Sequence, residues 1–298
     1  MRVGIGLPTT VPGMDGRAVV EWARRAEAGP FTSLGVLDRL VYDGFDALAA
    51  VAAAAAVTER VRLVTMVAVA PLRNTAILAK TAASIDSLSG GRLVLGLGVG
   101  ARHEDYAAAG VDHRTRGRRF TDQLAALRQH WESGSFGPTG ARRRGPELLV
   151  GGQSDQAFTR VARYADGYVH GGGPPRAFAR AADKARAAWS DLCRPGRPLL
   201  WAQGYFALGD AATLTAAADY LRHYYAFTGP FAEKVAAGLL TSPQAIAQFL
   251  QGYAEAGCDE LVLLPAVGGL DQIDRLAEIL EPMGEPRASP AGTREAAT

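Results

Sequence analysis

Glycine is concentrated where a chain could hold a phosphorylated ligand. Gly96, Gly98 and Gly100 alternate along LVLGLGVG, so in an extended strand they share one face and let another group approach closely. Gly151, Gly152, Gln153 and Ser154 stand just before a helix-like run that begins at Asp155. Main-chain N–H groups there, with the Ser154 hydroxyl, suit a phosphate at a helix N-terminus. Gly171, Gly172 and Gly173 run into Pro174, Pro175 and another helix-like stretch, which makes a second cradle. One such cluster alone reads as a tight turn between strand and helix; three of them favour a phosphorylated cofactor. His170 precedes the last cluster, and an ordinary pKa of about 6.5 suits it to acid–base transfer, with phosphate contact as its other reading. Asp38 and Arg39 join His170 as candidate catalytic residues; His103-Glu104-Asp105 are further ionisable groups, and Glu104 and Asp105 also suit the start of a following helix. Cys193 and Cys258 lack the spacing of a zinc or redox pair, so no metal site is expected.

These residues need a scaffold, and the apolar runs outline one. Strand-like segments fall at 3–7, 34–37, 61–69, 92–99, 148–150, 168–169, 199–207 and 260–264. Helix-like segments fall at 17–28, 46–58, 75–88, 118–131, 155–164, 175–191, 213–256 and 270–281, with Asp46 as an N-cap. Strands apolar on both faces, alternating with amphipathic helices, indicate a parallel sheet covered by helices. Eight repeats, with no GxGxxG after the first strand, favour closure into a (β/α)8 TIM barrel over an open doubly wound sheet. Active sites of such barrels lie at the carboxyl ends of the strands, where Asp38-Arg39, Gly98 to Asp105, Gly151 to Ser154 and His170 to Gly173 fall. The 213–256 segment is longer than one barrel helix needs; Gly229-Pro230 and Ser242-Pro243 divide it into about three helices. Its Tyr224 and Tyr225, with His223 beside them and Tyr205 in the seventh strand, form either the apolar wall of a substrate pocket or ordinary core. One domain is expected over residues 1–282, followed by a Pro/Gly/Ala/Glu-rich tail, 283–298, of disordered composition.

Composition narrows the function. The 298 residues are 48% hydrophobic and carry 32 basic against 30 acidic side chains, enough apolar mass for a large core and no strong field. Lysine occurs only at Lys80, Lys184 and Lys234, and the arginines alternate with acids along helices. The one dense run, Arg142-Arg143-Arg144, lies in a Gly/Pro loop at 134–146 without aromatic platforms, which argues against nucleic-acid binding. The longest apolar run, 47–57, is far short of the ~20 residues of a membrane helix, and MRVGIGLP reads as a strand rather than a signal peptide. The expected setting is cytoplasmic, with no membrane partner.

Longer stretches carry a family resemblance. AKTAASIDSLSGGRLVLGLGVG at 79–100 is similar to the luciferase-like pattern of AK, a spaced acidic residue, LS, GR and a glycine-rich strand. LDR (37–39), TERVRL (58–63), GVDHRTRGRRF (110–120), LRQHW (127–131), LLVGGQS (148–154) and ARYADGYV (162–169) continue the match in order, to about residue 280. The chain thus resembles bacterial luciferase, alkane monooxygenases and the F420-dependent reductases and dehydrogenases. The resemblance implies an isoalloxazine or deazaflavin ring across the barrel mouth, with its phosphate near Gly151–Ser154 and Gly171–Gly173. It also implies a non-prolyl cis peptide at Met66-Val67, in a bulge including Thr65 that backs the ring. Homodimers are common in such a family, and a separate flavin or F420 reductase can supply the reduced cofactor. One departure stands out: many members have Asp-His where this chain has Asp38-Arg39. Arginine stays protonated, so Arg39 cannot shuttle protons; it suits an anionic cofactor or a substrate carboxylate.

The resulting expectation is an oxidoreductase that moves a hydride between F420 or FMN and a small organic molecule, with F420 favoured. The alternatives are an FMN-dependent, oxygen-using monooxygenase and a non-catalytic flavin-binding relative.

Overall fold

In the computed structural model, which describes residues 1–138 and 145–284, the apolar runs become strands of one parallel sheet. The first half of the chain runs β1 (Arg2–Gly6), α1 (Gly16–Ala28), β2 (Ser33–Val36), α2 (Ala47–Ala55), β3 (Arg62–Thr65), β4 (Ala68–Val69) and α3 (Thr75–Leu88). It continues through β5 (Leu93–Gly98), α4 (His103–Ala108), α5 (Arg116–Glu132), β6 (Glu147–Gly151), α6 (Asp155–Tyr164), β7 (Gly167–His170) and α7 (Pro175–Asp191). The last part comprises β8 (Leu199–Phe206), α8 (Ala211–Tyr224), α9 (Phe231–Ala237), α10 (Pro243–Glu255), β9 (Glu260–Pro265) and α11 (Asp271–Gly284).

The sheet closes on itself. β1 pairs with both β2 and β9, and β9 with β8, while β3 and β4 both pair with β5. β3 and β4 are therefore one stave interrupted at Met66-Val67, whose peptide bond is cis. Eight staves with flanking helices make the (β/α)8 barrel that the alternation of apolar runs predicts. The single strand expected at 61–69 is corrected to two short ones. β5 is followed by a short helix, α4, that the apolar pattern does not announce.

Strand side chains alternate between two cores, as the two-residue period of a strand requires. Val64, Val94, Leu149, Val169, Trp201 and Val262 fill the barrel interior. Leu63, Leu95, Leu148, Val150, Tyr168 and Leu261 face the helical layer, against residues such as Trp22, Phe120 and Phe178. Side-chain caps fix where helices begin: Asp46 accepts from Leu48 and Ala49 N–H, Asn74 from Ala76 and Ile77, and Ser242 from Ala245 ahead of Pro243. Arg92 ties the layers together. Its guanidinium donates to the carbonyls of Ser89 (2.8 Å), Val61 (2.7 Å) and Thr58 (2.6 Å), joining the end of α2 to the entry of β3.

The 213–256 segment divides into α8, α9 and α10, broken at Gly229-Pro230 and Ser242-Pro243 as expected. α8 and α9 do not join the outer ring. Ala217, Tyr220, Leu221, Tyr224 and Ala236 belong to the interior core, so these helices close over the carboxyl ends of the strands. The last helix reaches Gly284, two residues past the domain boundary at 282; the rest of the expected tail and Arg142-Arg143-Arg144 lie outside the described residues. Among the described residues no helix is long and apolar enough to cross a membrane.

Candidate active site at the barrel mouth

The bulge after β3 organises the mouth. Asp38, buried at the end of β2, accepts the Val69 N–H through Oδ2 (2.8 Å) and an Arg73 guanidinium hydrogen through Oδ1 (2.8 Å). Burial raises the Asp38 carboxyl pKa, against Arg73 and the Val69 N–H, which lower it. Arg73 also pairs with Asp46 at 3.0 Å. Both carboxylate oxygens of Asp38, a catalytic candidate by sequence, are thus engaged in holding the bulge, an arrangement that suits a positioning residue. Thr65 is tied to the next strand, its hydroxyl donating to Gly96 O at 2.6 Å. Met66 points into the interior core, and Val67 is half-buried at the top of the stave.

The glycine ladder on β5 serves this bulge. A Cβ on Gly98 would stand 2.6 Å from Val67 Cγ2, one on Gly96 2.0 Å from Thr65 O, and one on Gly100 2.8 Å from Val69 Cγ1. The group that approaches closely is the chain's own bulge. Gly98 and Gly100, expected to bind cofactor directly, therefore make room for the segment that would back it. Gly151 has the same neighbour, Val67 Cγ1 at 3.3 Å from a built Cβ.

The other glycines remain available. Gly152, Gln153 and Ser154 are exposed at the start of α6, where Ser154 Oγ accepts the Ala157 N–H at 3.3 Å. At Gly171 and Gly173 an added Cβ would meet nothing within 4 Å, and Gly172 and Gly173 have φ of +100° and +109°, a region that favours glycine. Gln203 Nε2 donates to Gly171 O (3.2 Å) and Tyr253 Oη to Gly173 O (2.8 Å), which fixes this loop from below. The open, pinned loop fits a ligand phosphate.

Beside the α6 terminus lies a cleft of about 350 Å³, lined by Arg114, Arg116, Arg118, Arg160 and Ser154 and reaching Val99 after β5. Among the described residues, none of these four arginines is ion-paired with a carboxylate. Arg160 is oriented by Gly117 O and Thr121 Oγ1, both at 2.9 Å. Sequence reasoning missed this cluster as a site. Its signal was present in HRTRGRR, whose arginines have few acids around them.

His170 does not lie where the sequence reading placed it. β7 is four residues long, so Val169 points inward while Tyr168 and His170 face the helices. The imidazole stands edge-on to Phe178 of α7, ring centroids 5.8 Å apart, and its Nδ1 is 3.1 Å from Tyr168 Oη. Nε2 is buried without a partner. Strand parity thus turns the His170 side chain away from the mouth, into the helical layer. Burial lowers its pKa, with the Gly172 backbone opposing. Between the ordinary value and the lower folded one, the unfolded chain carries a proton that the folded chain does not. Stability therefore falls as pH falls through that window, by up to about 1.4 kcal/mol per pH unit. His170→Asn is expected to flatten this dependence, read as urea-unfolding free energies from about pH 7 down to about pH 5. Equal slopes for the two proteins would contradict it.

Two arginines and a set of tyrosines occupy the mouth itself. Arg39 pairs with Glu104 at 2.7 Å and lies over the Tyr42 ring, 4.4 Å from its centroid. Burial acts to raise the Glu104 pKa, but the hydrogen bond and charge of Arg39, and the charge of Arg102, hold it low. Asp105, in the first turn of α4 like Glu104, accepts the Val41 N–H at 2.8 Å. Tyr205 and Tyr225 share a 2.8 Å hydroxyl hydrogen bond, and Tyr224 lies edge-on to Tyr225 at 5.1 Å. The structure thus brings together all three tyrosines expected to line a pocket. Burial raises their pKa values, so their hydroxyls stay protonated. His223, at the end of α8, is exposed and 3.2 Å from Tyr42 Oη.

Comparison with known proteins places this geometry. The family model for luciferase-like monooxygenases matches residues 1–260. An uncharacterized protein of Mycobacterium tuberculosis (strain H37Rv) is 31% identical over 187 residues, covering 51% of this chain and 65% of that protein. A phthiodiolone/phenolphthiodiolone dimycocerosates ketoreductase of Mycobacterium sp. (strain JLS) is 30% identical over 166 residues, or 50% of this chain and 43% of the ketoreductase. The matches therefore span less than two thirds of these relatives. Among solved structures, an F420-dependent secondary alcohol dehydrogenase with a bound F420-acetone adduct superposes with a TM-score of 0.77 at 17% identity, over 95% of this chain and 99% of that one. The oxygenating constituent of 3,6-diketocamphane monooxygenase from Pseudomonas putida, in complex with FMN, gives 0.71 at 16% identity, over 96% and 97%. At such identity the solved structures show the shared barrel, and the family match does the rest: this chain belongs to the luciferase-like monooxygenase family.

Proposed function

We propose that this protein is an oxidoreductase that transfers a hydride between F420 and a small organic carbonyl or alcohol, with FMN as the other cofactor to be tested. The observation that carries this reading is the arginine cleft at the α6 N-terminus, which runs from Ser154 to Val99 after β5. Four cations without counter-ions suit a phosphate-bearing, multiply anionic ligand. Arg114, Arg116, Arg118, Arg160 and Ser154, with the loop Gly171–Gly173, would hold its acidic groups. Val67 would back its ring. The bound ring supplies the hydride chemistry; the protein binds, orients and keeps water out. With His170 turned away and Arg39 unable to release a proton, the Tyr205–Tyr225 hydroxyl pair is a candidate proton donor at the mouth. The similarity to a ketoreductase and to an F420-dependent alcohol dehydrogenase supports the direction of this reading.

The test is titration of the purified protein with F420 and with FMN, followed by visible absorbance and fluorescence. F420 binding at micromolar concentrations, without oxygen uptake on reduction, is the expected result. Tight FMN binding with oxygen uptake would establish a monooxygenase instead. Binding with no substrate-dependent absorbance change across alcohols and ketones would indicate a non-catalytic binder, and failure to bind either cofactor would end the reading.

The chain also fits a homodimer. α2 and α3 form a groove of about 630 Å³, flanked by Ile77 and Leu88, which are 67% and 74% exposed. Large apolar side chains set along one groove favour association. Ile77→Asp with Leu88→Asp is expected to yield a folded monomer in sedimentation experiments where the parent chain sediments as a dimer; identical sedimentation would contradict this.

A further inference from the structure

Arg102 follows β5 and is buried at the mouth. Its guanidinium lies between two rings, 4.6 Å from the Tyr224 centroid and 4.2 Å from that of Phe227. Its one protein hydrogen bond is long, Nη2 to Tyr224 O at 3.3 Å, and its Nε is buried without a partner. Among the described residues no carboxylate lies within ion-pair distance of it. Arg39 reaches the same Tyr224 carbonyl at 3.4 Å, so two guanidinium groups share one oxygen. Glu104, directed at Arg39, is the one acid paired with either. Rings and a single carbonyl compensate a buried guanidinium only in part, and a second cation beside it adds repulsion. Arg102 is thus a buried guanidinium without an ion-pair partner among the described residues.

We propose that Arg102 binds the carboxylate of the substrate, so the substrate is an acidic organic molecule with an apolar body. Planar guanidinium donors match a carboxylate in two-point geometry. Tyr224, Tyr225 and Phe227 supply the surface for the apolar part; Phe227, 37% exposed, is the outermost ring and stacks on Tyr225 at 6.3 Å. This inference rests on the oxidoreductase reading for the word substrate, but the anion site stands on its own geometry. The arginine cleft beside α6 has other residues and would serve the cofactor. Were the anion at Arg102 a charge on the reduced ring, cofactor affinity would depend on Arg102.

The probes are 3-phenylpropionate and its amide, titrated calorimetrically into the protein alone and into cofactor-saturated protein. The acid is expected to bind at least about tenfold more tightly than the amide, and Arg102→Met to abolish that preference while leaving cofactor affinity within about twofold. Arg118→Gln, in the cleft, is expected to leave the preference intact. Because Arg102→Met removes a buried side chain, Glu104→Gln gives a second reading at a half-exposed position. Removing the competing carboxylate should tighten acid binding by about threefold or more. No preference in the parent protein, a preference that survives Arg102→Met, or unchanged acid affinity in Glu104→Gln overturns the proposal. So does a cofactor affinity about tenfold weaker in Arg102→Met, which would give the arginine to the cofactor. If the parent chain binds neither F420 nor FMN yet shows the acid preference, the functional reading fails and the anion site stands.

Discussion

Replacing Arg116 and Arg160 together by glutamine is expected to weaken cofactor binding by about 10²- to 10⁴-fold, at about 1.5–3 kcal/mol for each charge-assisted hydrogen bond lost. The two side chains enter the cleft from different elements, Arg116 at the first residue of α5 and Arg160 within α6. Glutamine keeps a donor at each position and much of the packing, so the barrel should remain folded; Arg160 needs only modest replacement of its bonds to Gly117 and Thr121. Salt provides an internal check. Affinity of the parent protein should fall with ionic strength because four unpaired arginines create the attraction, and the double variant should fall less steeply. Fluorescence titration at two salt concentrations measures both quantities. Affinities of parent and variant that agree within about threefold would mean that the phosphate is held elsewhere.

The barrel was legible because its signals are local. Apolar runs of strand length, helices with Asp46 and Ser154 at their starts, and breaks at Pro230 and Pro243 each depend on a few neighbouring residues. The site was legible only in outline. Naming the strand ends located Asp38, Arg39, His170 and the glycine clusters, but their roles depend on which way each residue faces. A shift of one residue in a short strand moves His170 from mouth to helical layer. The alternating glycines signalled a close approach, yet not that Val67 and Val69 of the same chain make it. Arg92 belongs to a stretch that marks the family, and its contacts are to carbonyls of the turn after α2, the β3 entry and its own turn, so that part of the motif reports the scaffold. Arg102 escaped notice because a lone arginine after a strand looks solvated. Only the three-dimensional arrangement shows that two aromatic rings lie against it and that, among the described residues, no carboxylate is within ion-pair distance.

Asp38→Ala is expected to cost about 3–5 kcal/mol of folding stability, the range for removing one member of a buried ion pair. The aspartate joins three segments: the end of β2, β4 after the bulge through the Val69 N–H, and the loop before α3 through Arg73. Alanine leaves the Val69 N–H without its acceptor in the core and returns Arg73 to Asp46 alone, whose side chain is 48% exposed. Asparagine separates this positioning role from catalysis. Its amide oxygen can still accept the Val69 N–H, so Asp38→Asn should recover about 1–3 kcal/mol relative to alanine and most of the cofactor affinity. A residue that moved a proton would behave otherwise, since neither asparagine nor alanine can do so, and turnover would vanish in both while cofactor affinity stayed near that of the parent chain. Urea unfolding and cofactor titration on the same three proteins therefore decide the matter. If asparagine and alanine are equally inactive with cofactor affinity intact, Asp38 acts on the reaction itself; if affinity and stability fall and recover together, its work is to hold Val67 beneath the ring.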